Sequence, residues 1–126
     1  MNDEYFSQIV NRGYQNIPEE FRQQMDNVAI TIADFPSAEQ VRKLQLRPHT
    51  TLFGLYEGVP LPKRSNYSGA IPDKITIFKY PILRASRSLD EFIQRVEDTV
   101  WHEVAHYFGM NEEEVRDAEK RRDRLR

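Results

Sequence analysis

The stretch from Ser88 to Phe108 constrains this chain more than any other part of it. Its apolar residues Leu89, Phe92, Ile93, Val96, Val100, Val104 and Phe108 recur at the i, i+3, i+4, i+7 spacing of a helix with one buried stripe. Ser88 or Asp90 is placed to cap its start. Plotted at about 100° per residue, His102 and His106 fall on the opposite, polar side with Glu91, Arg95 and Asp98. The two histidines are therefore expected outside the core.

Two histidines at i and i+4 on one helix stand a turn apart, close enough to converge on a single ion. Zinc takes neutral imidazole nitrogens at about 2.0–2.1 Å in tetrahedral directions. The chain has no cysteine, which removes thiolate ligands, disulfides and a cysteine nucleophile together and leaves His, Asp and Glu as the strong ligands. One Zn2+ ion is the expected cofactor, with His102 and His106 as ligands. Glu103, beside the first histidine, is placed to take a proton from a metal-bound water whose pKa the ion lowers to about 7. The same pentapeptide, His-Glu-Val-Ala-His, also arises on ordinary solvated helices, so its surroundings have to be weighed.

Gly109 stands three residues past His106 and can adopt the left-handed conformation that ends a helix and turns the chain back. That turn brings Asn111 and Glu112 toward the open side of the histidines, which makes Glu112 the candidate third ligand. The plainer reading of Glu112, Glu113 and Glu114 is an acidic first turn of a C-terminal helix, favoured there by the helix dipole. Glu113 and Asp117 are alternative third ligands. Met110 follows the glycine directly and reads as a residue packed beside the helix end.

The rest of the chain reads as alternating short elements. A helix is expected over Tyr5–Ile17, and a short one from Pro18, placed at its first position, through Met25. A strand is expected over Asn27–Ala33, and a helix over Ala38–Leu44 capped from the Asp34–Ser37 turn. Residues 51–57 read as a second strand, with Gly54 lowering its propensity. Residues 59–73, rich in Pro and Gly, read as a loop, and Lys74–Tyr80 as a third strand stopped by Pro81. From Asn111 onward a charged helix is expected, with Asn111 and Glu114 at capping-box spacing.

With 126 residues and 39% hydrophobic content, the chain fits one domain, residues 1–126, around one modest core. Its 18 basic and 20 acidic residues leave a net charge of −2, so no overall field favours nucleic acid or an anionic membrane. The basic end, Arg121–Arg126, reads as a solvated helix terminus; a nucleic-acid module would need aromatic residues among those charges. No segment approaches the roughly 18–20 apolar residues of a membrane span, and the acidic start lacks a signal peptide's pattern. A soluble, cytoplasmic protein is expected.

The extended motif His102-Glu103-Val104-Ala105-His106-Tyr107-Phe108-Gly109-Met110-Asn111-Glu112 resembles that of the minimal zincins, small bacterial zinc metallopeptidases with a matrix-metalloprotease-like domain. The resemblance extends to residues 52–61, to residues 71–78, and to the stretches Pro18–Phe21 and Asp26–Val28, and so covers most of the chain. It implies an α/β (α+β) fold, with a small mixed sheet packed on the active-site helix and flanking helices. It also implies one zinc held by two histidines and an acid. In the related motif that acid is Asp where this chain has Glu112, one methylene longer.

Function follows as an expectation: a zinc-dependent metallopeptidase in which His102, His106 and Glu112 hold the metal and Glu103 activates water, with a peptide or protein as substrate. The alternative is a non-catalytic zincin scaffold acting as an interaction or regulatory protein. Tyr107, Tyr56, His49 and Arg47 have the chemistry to stabilise an oxyanion, although each also reads as ordinary packing or surface. The strand at 51–57 is the candidate edge along which an extended substrate would pair.

Overall fold

The structure, a computed structural model, describes residues 1–44, 52–59, 72–111, 113–117 and 120. Helix α1 spans Asp3–Gln15, with the Asn2 side chain accepting from the Tyr5 N–H at 2.8 Å. Helix α2 is a single turn, Glu19–Arg22. It stops short of Met25, and Pro18 sits just before its first turn as the N-cap. Strand β1 follows at Val28–Ala33, entered through Asn27, whose φ of 57° places it in the left-handed region that Asn tolerates. Helix α3, Ala38–Lys43, begins at a complete capping box: Ser37 accepts from the Gln40 N–H while the Gln40 side chain accepts from the Ser37 N–H.

Strands β2 (Gly54–Glu57) and β3 (Asp73–Phe78) complete a three-stranded mixed sheet in the order β1-β3-β2. β3 is central, parallel to β1 with Val28 opposite Asp73, and antiparallel to β2 with Gly54 opposite Ile77. The α+β class expected from the sequence is the one observed.

One expected element is corrected. β3 ends at Phe78 and the chain enters a helix, α4 (Lys79–Ala85), with Pro81 inside its first turn. A residue in the first turn has no intrahelical acceptor for its N–H, so proline loses nothing there. Pro81 therefore starts a helix where the sequence reading made it stop a strand. Lys79, at 4% exposure, anchors that start through its ammonium, 2.7 Å from Asp3 and 3.5 Å from Asp34. β2 is also shorter than expected: Leu52 and Phe53 lie ahead of it outside regular structure, and Thr51 and most of the 59–73 loop lie outside the described residues.

Helix α5, Leu89–Tyr107, is capped by Ser88, whose hydroxyl accepts from the Glu91 N–H at 3.1 Å. Its stripe Phe92, Val96, Val100 and Val104 is fully buried against Phe6, Ile9 and Val10 of α1 and Ile75 and Ile77 of β3. Leu89 departs from the stripe at 50% exposure, because the first residue of the helix projects past the neighbouring elements. The core also takes Trp101 and Tyr107, which the seven-residue stripe did not include. Phe21 packs edge-on against both Trp101 and Phe108.

Beyond α5 both halves of the second capping box form, with Asn111 Oδ1 accepting from the Glu114 N–H at 2.8 Å and Glu114 Oε1 from the Asn111 N–H at 3.4 Å. Residues 113–117 are helical, with Val115 fully buried. Among the described residues no helix is long and apolar enough to cross a membrane.

Candidate metal centre

The last turns of α5 carry the site. The Nε2 atoms of His102 and His106 face one another at 3.1 Å, with the rings at 76°. Both side chains are half-buried. Two nitrogens at about 2.0–2.1 Å from one ion in tetrahedral directions stand about 3.3–3.4 Å apart. The observed pair, at 3.1 Å, is already at nearly that separation. A neutral pair holds the contact by sharing one imidazole proton; a divalent cation suits it better, since both nitrogens then act as lone-pair donors. The histidine pair therefore fits zinc.

The helix ends as its glycine requires. Gly109 has φ 79°, its N–H donates to the His106 carbonyl at 2.9 Å, and the Met110 N–H donates to the Ala105 carbonyl at 3.1 Å. These are the two bonds of a Schellman turn, which redirects the chain immediately after the second histidine. Glu112 lies outside the described residues. Glu113 and Asp117 are exposed, and among the described residues no group of three His, Asp or Glu side chains gathers around a metal position.

Glu103 occupies a different environment from the histidines flanking it in sequence. It is 6% exposed, on the side of α5 that faces β2. Thr99 and Tyr107, one turn away on either side, share that face. The Thr99 hydroxyl donates to the Arg95 carbonyl at 2.7 Å, and the Tyr107 ring stands edge-on to Tyr56 of β2 at 6.1 Å. A cleft of about 300 Å3 opens beside this face, between Leu52–Gly54 and the helix residues Arg95, Asp98, Thr99, His102 and Glu103. It opens onto one histidine and onto the acid. A larger groove of about 520 Å3 runs between α1 and β1, but its lining holds no His, Asp or Glu. Chemistry and not size identifies the site.

Two of the candidate oxyanion donors are engaged elsewhere. The hydroxyl of the buried Tyr107 accepts from the Asp26 N–H at 3.0 Å and donates to the Gln24 carbonyl at 3.4 Å. The Tyr56 hydroxyl donates to the buried Asp73 carboxylate at 2.5 Å. Both take the ordinary packing role. Arg47 and His49 lie outside the described residues.

The sequence reading passed over Leu52, Phe53 and Thr99 as site residues and treated Gly54 only as a weak strand former. The signal for Gly54 was present: glycine within a β-branched and aromatic strand marks a close approach by another group.

Residues 25–122 match a family described as zincin-like metallopeptidases. No curated protein matches the chain.

Proposed function

The chain belongs to the zincin-like metallopeptidase family, and on that premise we propose that it is a zinc-dependent peptidase acting through Glu103. The observation that carries the proposal is the 3.1 Å approach of the His102 and His106 Nε2 atoms, with the Glu103 carboxylate on the adjoining face. His102 and His106 would hold the ion, and Glu112, three residues after Gly109 in the sequence, is the proposed third ligand. Zinc bound there supplies a Lewis acid and makes water nucleophilic near neutral pH.

The protein's own groups do the remaining work. Glu103 accepts the proton of the attacking water at its carboxylate and returns it to the departing amine, a general base and then a general acid. Its burial limits the number of waters that reach it, and the 300 Å3 cleft that it lines admits the attacking water and the substrate chain. An extended peptide is the substrate class such a cleft suits. It can lie along β2, which among the described residues has a strand neighbour on one side, β3.

Metal analysis of protein purified without added zinc should find about one ion per chain, and a mixed peptide library should be cleaved. Glu103→Gln should lower turnover by about 10²–10⁴-fold while the metal content stays the same. Full turnover in that variant sinks the role given to Glu103. Absence of zinc from a protein with intact histidines sinks the metal reading.

A further inference from the structure

Gly54 does not owe its place to backbone strain: among the described glycines, Gly58 and Gly109 have positive φ and Gly54 does not. Space is what requires it. A Cβ built on Gly54 would stand 2.6 Å from Thr99 Cγ2, 3.2 Å from Glu103 Cγ and 3.3 Å from the Thr76 carbonyl oxygen. None of the three can easily retreat. The Thr76 oxygen is backbone of the central strand. The Thr99 methyl is fixed because its hydroxyl is committed to the Arg95 carbonyl at 2.7 Å. Glu103 Cγ belongs to a side chain that is 6% exposed.

We propose that Gly54 and Thr99 are positioning residues for Glu103: the bare backbone of β2 and the Thr99 methyl together hold the glutamate stem in one rotamer. The inference rests on the peptidase reading above for its consequence and on packing alone for its geometry. A glutamate side chain free to turn loses rotamer entropy when it is fixed. A base confined beforehand meets less of that cost at the moment of reaction. A Cβ at position 54 forces either β2 away from α5 or the glutamate out of place, and a displacement of about 1 Å at a reacting group costs up to about 10²-fold in rate.

The test is the pair Gly54→Ala and Gly54→Ala/Thr99→Ser, each carrying its full complement of zinc. Serine keeps the hydroxyl that bonds Arg95 and deletes the methyl nearest the new Cβ. Gly54→Ala should lower kcat about 10- to 100-fold with KM within about threefold, and the double variant should recover from that loss to the several-fold deficit that deletion of the Thr99 methyl by itself leaves. Unchanged kcat in Gly54→Ala, or no recovery in the double variant, overturns the proposal. Should Gly54→Ala fail to fold, Thr99→Ala removes the other wall and should lower kcat several-fold at constant KM and zinc content; unchanged kcat there overturns it equally.

A readout independent of activity separates this proposal from the peptidase reading. In crystals of the metal-free Gly54→Ala protein the Glu103 carboxylate should be displaced or split between rotamers relative to the wild type, and in the double variant it should return toward its wild-type position. A carboxylate that stays in place overturns the positioning role even if the enzyme is active. A displaced one upholds it even if no peptide is ever found to be cleaved.

Discussion

The two sides of α5 obey different rules. On one, Phe92, Val96, Val100 and Val104 are sealed at 0–1% exposure against α1 and β3, and their role follows from size and apolarity alone. On the other, half-buried His102 and His106 stand beside Glu103, which at 6% exposure is nearly as buried as the core although it carries a carboxylate. Burial on the first side is what holds the helix. On the second it serves the position of a few atoms, and it depends on a strand that approaches closely because it has no side chain at Gly54. A polar helix face can thus contain two environments, one half-buried around the two imidazoles and one packed around the stem of an acid.

The comparison breaks most completely through the histidines. His106→Ala removes one of two converging nitrogens, so bound zinc should fall well below one per chain. The stability of the metal-free protein should change by no more than about 1 kcal/mol, as for substitutions away from the core. Metal retained at full stoichiometry would show that the site face does not depend on the pair.

Phe92→Ala tests the opposite side. The ring is 1% exposed and packs 5.9 Å from Phe6, so its loss should cost about 3–5 kcal/mol of unfolding free energy. Zinc stoichiometry in the folded fraction should be unchanged. Denaturant titration with metal analysis would detect a coupling between the two sides if both quantities fell together.

Tyr107→Phe acts where the sides meet, next to His106. It removes the acceptor of the Asp26 N–H from a part-buried hydrogen bond and should cost about 0.5–1.5 kcal/mol. The kcat should be little altered, since that hydroxyl is engaged by the backbone of Asp26 and Gln24. A selective fall in kcat would give Tyr107 a role in the chemistry.

The smallest effect belongs to Lys79, remote from both sides. Its hydrogen bond to Asp3 raises its pKa above the ordinary lysine value, against the opposing pull of desolvation. A raised folded-state pKa contributes stability that is full below the unfolded value and lost as pH climbs through the folded one. The melting difference between wild type and Lys79→Met should therefore hold steady up to about pH 9 and shrink above about pH 10.5. A difference that persisted unchanged at the alkaline end would mean that the aliphatic stem, and not the charge, anchors α4.

Local rules made much of the site legible from the chain alone. The spacing of His102 and His106, the Ser88 cap, the left-handed Gly109, the cap from the Asp34–Ser37 turn and the Asn111/Glu114 box each involve groups within a few residues of one another. Hydrogen-bond geometry and the 3.6-residue period decide such features before any tertiary contact forms. The α4 start at Pro81 was misread because proline has two opposite local meanings, and the sheet and the Lys79 anchor select between them.

What the sequence by itself determined is the active-site helix, its apolar stripe and the pair of nitrogens it presents. Only the tertiary structure decided that β2 lies antiparallel on β3 and across the Glu103 face, that Tyr56 and Tyr107 are spent on packing, and that Gly54 is a point of contact. Those facts depend on residues dozens of positions apart arriving within a few ångströms, and no periodicity within one segment encodes that distance.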